Sequence, residues 1–106
     1  MDGKCAVLQI QKRELLRASH IKPWRDCTNK ERLDGDNGLL LSAHLDALFD
    51  KGLLTFDDEG QIKLSKSLSE DDAEKLQLKG KKLCEPPSIR LKAYLKFHRE
   101  KYFRAA

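Results

Sequence analysis

The chain has 106 residues, 40% of them hydrophobic and 36% charged, with a net charge of +4. That length supports one domain with a real core that needs no metal or disulfide staples. The composition excludes a disordered chain, and no apolar run approaches the roughly 20 residues that span a bilayer.

The N-terminal stretch "MDGKCAVLQIQKRE" has a short apolar run and no cleavage signal, so no secretory signal peptide is expected. Cys5, Cys27 and Cys84 are odd in number and far apart, with no C-x-x-C pair. They point to a reducing, cytoplasmic setting, with neither a disulfide frame nor a structural zinc. "ELLRASHI" (14–21) reads as a strand ending near His20, and 22–36 as a polar loop broken by Pro23, Asn29, Gly35 and Asp36. "NGLLL" (37–41) is a turn followed by a short buried strand. Ser42 is a candidate N-cap for the helix "AHLDALFDK", which Gly52 stops. "LLTFDDEGQIKLS" (53–65) predicts a β-hairpin turning at Asp58-Glu59-Gly60. Ser69 with Asp72 predicts a capped short helix over 70–78, and 79–87 is a loop.

Ser88 then caps the longest helix, about 89–104. Leu91, Tyr94, Leu95, His98 and Tyr102 share one side, beside an apolar strip of Ile89, Ala93 and Phe97. His98 in that stripe reads as a hydrogen-bonded core histidine. Lys92, Lys96 and Arg99 occupy the remaining face. The charge is uneven. Residues 1–78 carry 12 Lys/Arg against 15 Asp/Glu, a net of −3, and residues 79–106 carry 9 against Glu85 and Glu100, a net of +7. The basic row is either a phosphate-contacting surface or a solvated helix face.

On the helix after Ser42, Leu45, Leu48 and Phe49 form the expected buried side, with Asp46 and Asp50 together on the other. Two carboxylates four apart with no cation on their face repel. They become favourable around a hard divalent cation such as Mg²⁺ or Mn²⁺. The alternative is two solvated aspartates, and spacing leaves both open. His44 points about 160° away from Asp46 and reads as a surface or packing histidine.

"LLRASHIKPW", then "NGLLLSAHLDALFDKGLLTF", then "YLKFHREKYF" together resemble the HNH endonuclease family, over about Cys5 to Arg104. The branch most resembled is the one at the C-terminal end of many bacterial restriction-type nucleases. The resemblance implies an α+β, ββα-metal domain over 1–106. Its core would span about 14–52, with an added hairpin over 53–65 and a C-terminal helical part over 69–104. It implies that His20 is the general base against a DNA phosphodiester, that Asn37 braces the loop, and that Asp46 helps bind one divalent metal. A histidine suits that role because its pKa, about 6.5, lets it take a proton at neutral pH.

Many relatives carry an aspartate just before the first histidine, where this chain has Ser19. Asp50, one turn from Asp46, is the candidate for the missing carboxylate. Other transition metals would suit the same ligands. Pro23 and Trp24 also match the family, and fixing the loop and filling the core is their expected role. Lys22, Arg25, Lys92, Lys96 and Arg99 are candidate DNA contacts; Lys22 and Arg25 read equally as ordinary loop charges. A domain this small is expected to work as a nicking nuclease, as a homodimer, or fused to a separate recognition domain. An inactive DNA-binding module on the same fold is the main alternative, and a nuclease toxin a weaker one.

Overall fold

Leu16–His20 form strand β1 and Gly38–Ser42 form β2, with a short helical turn at Arg13–Leu15 before the first. The two strands pair antiparallel, Leu16 opposite Ser42 and His20 opposite Gly38. The computed structural model describes residues 3–104, so the first two and last two positions of the expected domain lie outside it. Because side chains alternate across a strand, Ser19, Leu39 and Leu41 point to one side, and all three are buried. His20 points the other way and is exposed.

Helix α2 (Ala43–Asp50) follows β2 directly and packs against both strands. Its buried residues, Leu45 and Phe49, are four apart and close over the leucines of β2. Ser42 occupies the N-cap position, but its side chain makes no capping bond. Its hydroxyl instead meets His44 Nδ1 at 3.1 Å, leaving His44 an exposed surface histidine. Gly52 ends the turn after α2 with a φ of +72°, a conformation that L side chains rarely adopt.

β3 (Leu54–Phe56) and β4 (Ile62–Leu64) form the hairpin expected over 53–65. The Asp57 carboxylate accepts the Glu59 and Gln61 N–H groups, each at 2.9 Å, which fixes the turn. Every residue of β3 is buried.

Helix α3 (Glu70–Lys75) begins at Ser69, whose hydroxyl accepts the Asp72 N–H. It ends short of the predicted 78. Gln77 takes a φ of 56°, and the Leu78 N–H returns to the Ala73 carbonyl, which turns Leu78 into the core. Helix α4 (Ile89–Lys101) starts at Ser88 as expected but stops before 104. The Arg104 N–H leaves the helical pattern to bond the Gly52 carbonyl. The apolar strip predicted on α4 is also corrected: Ile89 is 87% exposed, while Leu95 and His98 are the buried residues.

His98 behaves as the sequence predicts. Its Nε2 bonds the Phe49 carbonyl at 3.0 Å and its Nδ1 meets Thr55 Oγ1 at 2.8 Å. Its ring stacks on Phe49 with centroids 3.8 Å apart. With Nε2 the donor, Nδ1 accepts from the threonine, so the ring sits neutral with both nitrogens satisfied. Burial holds its pKa below the ordinary 6.5, Arg99 pushes the same way, and the Phe49 carbonyl only partly opposes them. The unfolded chain therefore takes up a proton that the folded chain resists. Stability from this group is full above pH 6.5 and falls as the pH drops below it. The melting temperature is expected to be flat near neutrality and to fall below pH 6.5. A His98→Gln variant should lose that component of the slope; equal slopes would overturn the assignment.

Candidate active site

His20 ends β1 with its ring exposed, and the backbone beneath it is fixed by Asn37. The Asn37 residue, 1% exposed, lies next to Gly38, the strand partner of His20. Its carbonyl accepts the Ile21 N–H at 3.1 Å. Its side-chain Oδ1 accepts the Lys22 N–H at 2.8 Å. Its Nδ2 faces the Lys22 carbonyl at 3.2 Å and Cys27 Sγ at 3.3 Å. One buried amide thus ties the residues just after His20 to the far side of the loop. Its bonds go to the loop itself, which positions the imidazole through the backbone.

The loop is more ordered than its breaker residues predict. It holds a helical turn at Trp24–Asp26, helix α1 (Asn29–Arg32), and another turn at Gly35–Asn37. Thr28 and Glu31 form a reciprocal capping box around α1. That T-x-x-E spacing was the available signal in the sequence. Trp24 is a second correction. It is 55% exposed instead of filling the core, with its ring perpendicular to that of His20 and centroids 5.8 Å apart.

Helix α4 clamps this loop from behind. The Tyr94 hydroxyl donates to Asp34 at 2.9 Å, and burial with that contact pushes its pKa up to about 12. The Tyr102 hydroxyl donates to Asp26, which Lys101 also meets at 3.2 Å. The tyrosine bond, with the lysine, holds the Asp26 carboxyl below the ordinary range. α4 also packs on the turn that carries Asn37.

Asp46 and Asp50 sit on α2, Asp46 half-buried and Asp50 exposed. They are close enough to feel each other: partial burial raises the pKa of Asp50, and the Asp46 charge raises it further against Lys51. Ser19, in the place of the family's frequent aspartate, is buried with its hydroxyl unpartnered. Among the described residues, no three His, Cys, Asp or Glu side chains group so as to hold a metal ion. The carboxylates that could serve a cation here are the Asp46–Asp50 pair, with no third His, Cys, Asp or Glu grouped with them among the described residues. Such a two-carboxylate donor set fits Mg²⁺, which keeps several waters and takes further ligands from a substrate phosphate. The three cysteines are free.

The basic residues separate into two groups. Lys22 is half-buried in an ion pair with Glu31 at 2.9 Å and lies over the Phe97 ring. Arg99 spans the Phe56 carbonyl at 2.7 Å and Asp58 at 2.8 Å, so it holds the hairpin and leaves the basic row. Arg25 is exposed and bonds the Tyr102 hydroxyl at 3.2 Å. Lys92 and Lys96 are exposed on α4.

His20 stands open on a braced strand end and Asp46 and Asp50 lie on the helix packed against that strand, but among the described residues the three do not group so as to hold a metal ion. The chain belongs to the HNH endonuclease family, whose model matches residues 5–57. The match takes in His20, Trp24, Asn37, Asp46 and Asp50. It ends before β4, so "YLKFHREKYF" lies outside it. The mixed α/β fold with two small antiparallel sheets is compatible with such a domain, and membership makes nuclease chemistry the class to consider. No curated protein matches the chain. Among the described residues, no helix is long and apolar enough to cross a membrane.

Proposed function

We propose that the chain is a divalent-metal-dependent DNA endonuclease built on a ββα-metal core, β1–β2–α2. The observation that carries this reading is His20, exposed at the end of β1 above the buried Asn37 brace. His20 takes a proton from a water molecule as the water oxygen attacks the phosphorus. The bond from phosphorus to the 3′ oxygen breaks, and that oxygen takes up a proton. The products are a 5′-phosphate and a 3′-hydroxyl. Asp46 and Asp50 are the residues to hold one Mg²⁺ or Mn²⁺, which when bound would neutralise charge on the phosphate and the leaving oxygen. Lys92 and Lys96, exposed and without an ion pair among the described residues, and Arg25, exposed while bonded to Tyr102, are the cations assigned to backbone phosphates. A restriction-type setting, with a recognition domain or a second copy alongside, suits a cleavage unit of this size.

The test is relaxation of supercoiled plasmid with Mg²⁺, with Mn²⁺ and with EDTA. Metal-dependent nicking supports the proposal. A second reading, a DNA-binding module without activity, draws on Ser19 in place of an aspartate and on the absence of a three-ligand group among the described residues. Salt-sensitive gel shifts without nicking would favour it. The carboxylate pair makes a separate prediction. Asp46→Ala and Asp50→Ala should each raise the metal concentration needed for half-maximal nicking, by about tenfold or more, with melting temperatures little changed. Wild-type metal demand in Asp50→Ala would remove that residue from the site.

A further inference from the structure

Trp24 is a large side chain beside His20 whose place core packing does not explain. The turn that carries it is closed by backbone bonds, Asp26 N–H to the Pro23 carbonyl at 2.9 Å and Cys27 N–H to the Trp24 carbonyl at 3.2 Å. Packing does not account for the indole either, since it is 55% exposed. The ring is nevertheless held in place. His20 stands perpendicular to it, and the Arg32 guanidinium lies over it, 4.7 Å from the centroid. Arg32 Nε also donates to the Trp24 carbonyl at 3.1 Å, so one side chain fixes both the backbone and the ring. An exposed indole fixed in orientation is a prepared surface.

The surrounding charge says what that surface suits. Of the loop's four acids, Asp26 is engaged by Tyr102 and Lys101, Glu31 by Lys22 and the Thr28 cap, and Asp34 by Tyr94 and Arg90, while Asp36 is half-buried and forms no ion pair among the described residues. Lys30 and Arg32 form no ion pair among the described residues. The indole therefore faces solvent with the Arg32 guanidinium, which forms no ion pair among the described residues, over its ring and His20 next to it. A nucleotide brings one π-face and one negative charge, which matches that pairing. In continuous duplex both faces of each base are already stacked, whereas an unpaired or splayed base leaves one free.

We propose that Trp24 is a stacking platform for the base beside the scissile phosphate. The substrate class is then DNA with an unstacked nucleotide, single-stranded or locally opened, in preference to continuous duplex. This rests on the reading of His20 as the general base at the same site. The Arg32 guanidinium and the His20 ring fix the indole at the surface, where it can receive a presented base.

The chain has a single tryptophan, so its emission reports on this residue alone. In EDTA, where nothing is cut, wild-type protein is titrated with a short thymidine oligonucleotide, the same strand with abasic positions, and a duplex. Saturable quenching by the base-bearing strand, with little from the abasic strand or the duplex, supports the platform. Trp24→Ala should weaken binding of the single strand by about tenfold and leave duplex binding within about twofold. Trp24→Phe should recover much of the loss. Equal quenching by all three ligands, no quenching, or equal weakening of single strand and duplex overturns the proposal. Nicking assays separate the two readings. If wild type cuts and Trp24→Ala keeps the wild-type ratio of single-strand to duplex cleavage, the platform is wrong and the nuclease reading stands. If nothing is cut yet the quenching pattern appears, Trp24 stands as a platform for unstacked bases, while its placement beside a scissile phosphate fails with the nuclease reading.

Discussion

His20→Ala is expected to reduce metal-dependent nicking by about 100- to 10,000-fold while leaving the fold intact. That loss corresponds to about 3–5 kcal/mol of transition-state stabilisation, the usual contribution of a positioned general base. The two halves of the expectation have separate grounds. The ring is exposed, and its notable contact is the perpendicular Trp24, so removing it creates no cavity. Substitutions at such positions usually change stability by less than about 0.5 kcal/mol. The strand end itself is held by the Ile21 and Lys22 N–H bonds to Asn37, which the substitution leaves in place. Circular dichroism melts alongside plasmid relaxation decide the matter. Nicking at the wild-type rate, with an unchanged melt, would move the general base elsewhere.

Gly52→Ala should be the most damaging small substitution for stability. At a φ of +72°, a side chain costs about 1–2 kcal/mol from backbone strain alone. A Cβ there would also fall well inside contact distance of the Tyr102 carbonyl oxygen. Backbone cannot swing aside as a side chain can, so a further 1–3 kcal/mol, roughly, is expected from displacing the end of α4. The total, about 3 kcal/mol or more, is a large share of the roughly 5–15 kcal/mol that stabilises a domain. It should lower the melting temperature by about 15 °C. Gly80→Ala is the control. Gly80 has a φ of +76° but open space around it, so it should show the strain without the clash. Equal losses in both variants would mean that contact with Tyr102 contributes nothing. The effect should reach the candidate site, because α4 clamps the loop through Tyr94 and Tyr102.

The loop and its clamp mark where local reading gives out. The capping box of α1 is a four-residue signal, legible in principle, and it was hidden among residues that also read as turn formers. The exposure of Trp24 was not legible at all. A proline and a tryptophan in sequence look like a packed corner, and only the placement of Arg32 and His20 leaves the indole at the surface. The row of Lys92, Lys96 and Arg99 is regular along the chain, yet Arg99 is drawn off to Phe56 and Asp58, which lie more than 40 residues away.

By itself, the sequence determined what short-range physics controls: the strand ending at His20, the Asn-Gly entry to β2, the helix carrying Asp46 and Asp50, the hairpin, and the capped start of α4. Each rests on periodicity, a cap or a turn residue within a few positions, and three blocks in order carried the family resemblance. The tertiary structure alone decided which charges are free, which aromatic stays open, and how α4 backs the loop beneath the candidate base. Those outcomes depend on contacts between residues far apart in the chain, and no local pattern encodes a partner that only folding brings near.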